Sequence, residues 1–257
     1  MNNAWFIKHR KNCNVSRRIF CFPYAGGNAA TYSEWGSMLS EDIEVIAVQL
    51  PGRSSRLFEL PFDNMASLVD ALLPQIIPLL DKPYIVFGHS LGSRVGYELL
   101  SQLQLRNQPM PDCFIASGSR AAHLNDTSDR CWSHDDATFI QVLKELKGTP
   151  PEIFDNNELL TLLLPMLRAD FKISGTYQAK PMKLSCPIQI LHGTDDTEVT
   201  LDQLNAWQSL TTKSIEIHSI SGDHFFIDSN KIDTLNHINR VINKSTQRRM
   251  STNMATE

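Results

Sequence analysis

A serine hydroxyl is a poor nucleophile until a base takes its proton, and the base works well only when an acid orients it. One serine of this chain stands where that chemistry is done. It lies in Gly88-His89-Ser90-Leu91-Gly92, after the apolar run Tyr84-Ile85-Val86-Phe87 and before Ser93–Leu100, which reads as a helix. A strand that enters a G-x-S-x-G turn and leaves as a helix is a nucleophile elbow. The turn is so sharp that the serine backbone is strained, a cost tolerated at functional sites. Glycines two residues to either side are required because a Cβ there would meet the neighbouring strand or helix. The turn lifts the Ser90 hydroxyl off the sheet and aims the Leu91 amide at an incoming carbonyl.

In chains with such an elbow, the acid and then the histidine follow the serine. Beyond about residue 179 the candidates are His192, His218, His224 and His237. His192 ends a predicted strand, His218 lies within one, and His237 falls in the predicted last helix. His224, in Ser221-Gly222-Asp223-His224-Phe225-Phe226, follows the last strand in a loop and is the expected base; a surface-loop histidine is the plain alternative. For the acid, Gly193-Thr194-Asp195-Asp196 leaves a strand at the edge where sites of such sheets gather. Asp196 is preferred over Asp195 because it allows one more residue of turn. Asp223 is the outsider, since it would have to fold back on its neighbour. The second oxyanion donor, beside Leu91, is expected in Pro23-Tyr24-Ala25-Gly26-Gly27, at the Ala25 amide.

The elements that must hold these residues alternate. Apolar runs at Ile19–Phe22, Glu44–Leu50, Tyr84–Phe87, Cys113–Gly118, Pro187–Gly193 and Ser214–Ile220 read as strands. Helical patterns at 33–39, 64–80, 201–210 and 231–243 separate them. This is an α/β chain with a mostly parallel central sheet and helices on both faces. The stretch from about 121 to 179 breaks the rhythm with helical pieces at 135–147, 156–167 and 169–177, and is expected to be a lid over the site. Seven apolar residues between Leu159 and Leu167 exceed what one packed face needs, and are expected to meet an apolar acyl chain. Residues 1–244 form one domain, and 245–257 read as a frayed polar tail.

Composition excludes several classes of function. The 24 basic and 28 acidic residues leave a net charge of −4, no electrostatic basis for nucleic-acid binding. No run approaches the roughly 18 apolar residues of a membrane span, and the N-terminus lacks a signal-peptide pattern. Five scattered cysteines without a CxxC pair fit a reducing compartment, so a cytoplasmic location is expected. His192, Asp195 and Asp196 match no metal-ligand spacing, and neither metal nor cofactor is expected.

The motifs Phe22-Pro23-Tyr24-Ala25-Gly26-Gly27, Gln49-Leu50-Pro51-Gly52-Arg53, Gly88–Gly92 and Gly222-Asp223-His224-Phe225 resemble those of the discrete type II thioesterases that accompany polyketide and nonribosomal peptide synthetases. Lys147-Gly148-Thr149-Pro150-Pro151-Glu152 and Leu167-Arg168-Ala169-Asp170 resemble the same family. The similarity runs from about Ile19 to Ile242. It implies an α/β-hydrolase that clears aberrant or stalled acyl groups from the phosphopantetheine arm of an acyl carrier protein or peptidyl carrier domain. It also implies Ser90, Asp196 and His224 as a catalytic triad and Ala25 and Leu91 as oxyanion donors. Thr197 stands where many relatives carry proline, so that turn is expected to be looser. Arg53, Arg56 and Arg120 are candidate contacts for an acidic carrier, or solvated charges, or internal loop anchors. An esterase, an acyl-CoA or medium-chain acyl-carrier thioesterase, and a noncatalytic binding module on the same scaffold are the alternatives.

Overall fold

A computed structural model describes residues 4–9, 14–125 and 130–254. Seven strands make one sheet: β1 (Phe6–Lys8), β2 (Arg17–Phe22), β3 (Ile43–Val48), β4 (Tyr84–His89), β5 (Cys113–Ser117), β6 (Ile188–Gly193) and β7 (Ile215–Ile220). Their order is β1-β3-β2-β4-β5-β6-β7. All neighbours run parallel except β1, which adds to β3 antiparallel. The six parallel strands sit within the runs marked by apolar patterning or extend them by a residue or two. β1 is too short, at three residues, to carry a period.

β2, β3, β4 and β5 are buried along their whole length, because helices cover both faces. On one face Phe20, Val86 and Phe114 pack against α2 (Met65–Ile76) and α3 (Leu91–Leu105) through Leu68, Leu72, Val95 and Leu99. On the other, Ile19, Ile85 and Ile115 meet α1 (Trp35–Met38) and the last helix through Trp35, Ile238 and Val241. Asn64 caps α2 by accepting from the Ser67 N–H at 2.9 Å.

Register decides what meets at the carboxyl edge of the sheet. Phe22 pairs with Gly88, His89 with Ser117, Ser117 with Leu191, and Gly193 with Ile220. The loops that leave these residues carry Ala25, Ser90, Asp196 and His224.

Between β5 and β6 come α4 (Asp136–Leu146), α5 (Pro151–Phe154) and α6 (Asn157–Thr176). The two helical pieces expected at 156–167 and 169–177 are one continuous helix, since nothing at Arg168 breaks it. Arg168 pairs instead with Asp136 on α4 at 2.6 Å. The run from Leu159 to Leu167 serves this segment's own core: Leu160, Leu164, Met166 and Leu167 pack with Phe139 and Leu143 of α4. Leu159 and Leu162 face solvent.

After β6 come α7 (Leu201–Asn205), which passes into a 3-10 turn at Ala206–Leu210, then α8 (Phe226–Ser229) and α9 (Lys231–Met254). α9 continues through the described part of what reads as a frayed tail. The guanidinium of Arg17 donates to the Ile242 carbonyl at 3.1 Å and to the buried Ser245 hydroxyl, and Arg249 meets Asp112 at 2.5 Å. These partners lie far away in sequence, so local polarity does not reveal them. Residues 255–257 lie outside the described residues.

Candidate active site

Ser90 has φ 52° and ψ −116°, the strained conformation expected at the elbow. Its amide donates to the Ser117 carbonyl at 2.8 Å. Ser93, one turn on, donates its hydroxyl to the Gly88 carbonyl at 2.7 Å. The two glycines are steric necessities: a Cβ on Gly88 would overlap the Gly92 carbonyl, and one on Gly92 would overlap the carbonyl of Phe22. Leu91 opens α3, so its N–H belongs to the first helical turn, where amides have no carbonyl four residues back.

His224 lies in the loop between β7 and α8, and its Nδ1 stands 2.9 Å from Asp196 Oδ2. A carboxylate only accepts, so Nδ1 carries a proton, and in the neutral ring Nε2 is the nitrogen with the lone pair. Burial works to raise the Asp196 carboxyl pKa. The hydrogen bond and charge of His224 and the Glu198 N–H more than offset it, so Asp196 is held below the usual carboxylate range. The Glu198 N–H reaches Asp196 Oδ1 at 2.8 Å. This bond spans the turn through Thr197. Asp195 is exposed, and its amide donates to the Gly222 carbonyl at 2.9 Å. Of the two adjacent aspartates, Asp196 is therefore the one brought to the histidine. Asp223 accepts locally from the Phe225 N–H at 2.9 Å.

His89, the variable position of the elbow motif, has a place that pattern reading does not foresee. It is fully buried, with Nε2 2.9 Å from the His224 carbonyl oxygen and Nδ1 2.9 Å from Ser117 Oγ. A carbonyl cannot donate, so Nε2 holds the proton and the Ser117 hydroxyl donates to Nδ1. Burial and the nearby His224 push the His89 pKa well below its ordinary value, which keeps the ring neutral. Gly118, at φ 54°, makes room for it, since a Cβ there would come within 2.7 Å of His89 Cε1.

Ser90, Asp196, His224 and Ala25 line one cavity of about 640 Å³. Its far wall comes from Trp132, from Val142, Leu143 and Leu146 on and beside α4, and from Phe171 and Gly175 in the second half of α6. The leucines expected to face an acyl chain are not on this wall. Arg94 and Arg120 also reach the cavity, and Arg94 donates to the Ser174 carbonyl at 2.5 Å and hydroxyl at 2.7 Å.

Two of the arginines considered as carrier contacts are internal anchors. Arg53 is buried in a bidentate pair with Asp170, at 2.6 and 2.7 Å. Arg56 is buried, bonded to the Gln49 carbonyl and Glu59, with its guanidinium 4.3 Å from the Trp5 ring centroid. Arg120 alone of the three opens on the cavity. Among the described residues, no helix is long and apolar enough to cross a membrane, and no cluster of three or more His, Cys, Asp or Glu is arranged to hold a metal ion.

The thioesterase domain family model matches residues 17–246. The gramicidin S biosynthesis protein GrsT of Aneurinibacillus migulanus is 35% identical over 234 residues, covering 91% of each chain. The medium-chain S-acyl fatty acid synthase thioesterase of Rattus norvegicus is 30% identical over 91% of this chain and 89% of its own. Among solved structures, the type II thioesterase BorB from the borrelidin biosynthetic cluster superposes with a TM-score of 0.85, at 28% identity over 94% of this chain and 98% of that one. With an elbow serine, a buried aspartate on a loop histidine and a family match over nearly its whole length, this chain belongs to the thioesterase family.

Proposed function

We propose that this protein is a discrete type II thioesterase that hydrolyses acyl groups from the phosphopantetheine arm of carrier proteins, clearing stalled or aberrant chains from a polyketide or nonribosomal peptide assembly line. The observation that carries the chemistry is the His224 Nδ1 bond to buried Asp196, which leaves Nε2 to act as a base in the cavity that Ser90 also lines. Ser90 attacks the thioester carbonyl as His224 takes its proton, while Asp196 holds the tautomer and stabilises the imidazolium. The Leu91 and Ala25 amides receive the oxyanion. His224 then protonates the departing thiolate, and water enters on the acyl-enzyme with the same imidazole as base. The reaction uses only side chains and amides of this chain, and the pantetheine arrives with the substrate.

The helices α4–α6 act as the lid of this site, and the wall of Trp132, Val142, Leu146 and Phe171 takes the acyl chain. GrsT and BorB, named for gramicidin S and borrelidin biosynthesis, support the assembly-line role. The medium-chain fatty acid synthase relative favours a second reading, in which the carrier belongs to a fatty acid synthase.

Mass spectrometry of a panel of acyl carriers after incubation tests the proposal, with the same acyl groups offered on CoA and on simple esters. Preference for carrier-bound short or aberrant chains is expected, together with a Ser90→Ala loss of several orders of magnitude in a folded protein. Near-normal hydrolysis by Ser90→Ala would overturn the mechanism. A preference for fatty acyl carriers would move the protein to the second reading.

A further inference from the structure

Two of the family-like motifs have no part in the chemistry above, yet they meet. Arg53 closes Gln49-Leu50-Pro51-Gly52-Arg53 and Asp170 closes Leu167-Arg168-Ala169-Asp170. Their side chains, 3% and 2% exposed, form a bidentate ion pair across 117 residues of sequence. Such a pair is strong because planar fork meets planar carboxylate, but its desolvation makes it a weak source of net stability.

The remaining bonds of the pair go to one place. Asp170 Oδ2 accepts the Gly26 N–H at 2.8 Å, and Arg53 Nη1 donates to the Gly27 carbonyl at 3.0 Å. These are the two residues after Ala25. Gly26 holds φ 79°, and a Cβ on it would come within 2.8 Å of Leu167 on α6. The turn is thus pinned on one side by a helix of the inserted segment and on the other by the loop after β3. The Gln49 side chain, which donates to the Arg53 carbonyl at 3.2 Å and accepts from the Ala29 N–H at 3.2 Å, extends the brace past the turn.

We propose that Arg53 and Asp170 are positioning residues for the oxyanion hole: the ion pair fixes the Ala25 amide and makes its placement depend on α6 being docked. This rests on the assignment of Ala25 as an oxyanion donor. A donor misplaced by a fraction of an ångström still permits substrate binding but stabilises the transition state less.

The test compares Asp170→Asn, Arg53→Lys and the apolar double variant Arg53→Met with Asp170→Leu. Each is measured for melting temperature, for kcat and KM on an acyl carrier, and for affinity toward two analogues of the same acyl pantetheine. One is a trifluoromethyl ketone, which forms an oxyanion on Ser90; the other is an unreactive thioether. In the single variants kcat and the ketone-over-thioether preference are expected to fall together, by about ten- to a hundredfold, with KM little changed. The double variant removes both buried charges, so it should recover melting temperature but neither kcat nor the ketone preference. Recovery of kcat with stability in the double variant would reduce the pair to a structural brace and overturn the proposal. Single variants that keep the wild-type ketone preference would do the same, whatever becomes of the double variant. A wild-type enzyme that does not prefer the ketone would instead refute the oxyanion assignment itself.

Discussion

His89 Nε2 donates to the backbone carbonyl of His224 across 2.9 Å, so one histidine holds the main chain of another. The rings lie 5.2 Å apart between centroids. Because His89 leaves the sheet one residue before Ser90, the strand that delivers Ser90 also holds the loop that delivers His224. Replacing His89 by Ala removes that tie and leaves the Ser117 hydroxyl without its acceptor. We expect kcat to fall about ten- to a hundredfold with KM nearly constant. Steady-state kinetics on a variant whose circular dichroism matches wild type checks this; unchanged kcat would show that the His224 loop keeps its place unaided.

Asp196 and Asp195 are adjacent but unequal. Asp196→Asn should lower kcat by about 10³- to 10⁴-fold, because an amide in that position can donate to His224 and favour the wrong tautomer. Asp195→Asn should leave kcat within about threefold, since its side chain is exposed and its loop contact is through the backbone amide. Measured side by side on one thioester, equal losses would contradict the assignment of the acid.

The different legibility of these residues has a physical basis. Ser90, Asp196 and His224 could be placed because an elbow, a strand exit and a post-strand loop are local patterns with fixed order, and the parallel strands were legible as apolar runs for the same reason. The role of His89 was not, because its partner is a carbonyl 135 residues away. For Arg53 and Arg56 carrier contact, solvated charge and internal anchor stay open in the sequence, because the acidic and aromatic partners that decide between them are assembled only by folding. The leucine run of α6 carried a correct signal of excess apolarity but the wrong destination. Its surplus packs against α4, whereas α6 reaches the cavity only with its second half, through Phe171 and Gly175.

The elbow tolerates no side chain at Gly92. A Cβ there meets the Phe22 and Pro23 carbonyls, both main chain, so relief requires separating α3 from β2. Gly92→Ala should cost about 3 kcal/mol or more, a fall in melting temperature of roughly 6–12 °C for a chain of this size. Differential scanning fluorimetry reads the change; a shift under about 2 °C would mean that the turn relaxes more easily than its geometry indicates.

Acid should destabilise the protein through its buried histidines. Burial, then the neighbouring His218, push the His237 pKa down to about 4. Glu216 opposes the shift from β7, while Arg240 and Lys244 on α9 reinforce it. His89 is displaced in the same direction. A histidine with a folded pKa below its unfolded value of about 6.5 takes its proton first in the unfolded chain. Stability is therefore full above pH 6.5 and declines as pH falls toward 4. Urea melts across that window should show the decline, and His237→Gln should flatten it by up to about 1.4 kcal/mol per pH unit. An unaltered slope would mean that His237 is protonated in the native state.

Acyl preference should follow the wall of the cavity rather than Ser90, Asp196 and His224. Trp132 lines it from the 3-10 turn Cys131–Ser133, its indole lying so close to Gly175 that a Cβ there would overlap the ring. Removing the indole enlarges the space beyond Ser90 without touching Ser90, Asp196 or His224. Trp132→Ala should raise kcat/KM for long acyl carriers relative to short ones by about tenfold, the order available from a few methylenes of apolar contact. Val142→Trp, which adds bulk to the same wall from α4, should shift preference toward short chains. Competition between two acyl lengths on one carrier, read by mass spectrometry, gives the ratio directly. Variants that scale both chain lengths equally would place the acyl chain elsewhere, against the exposed side of α6 where Leu159 and Leu162 stand.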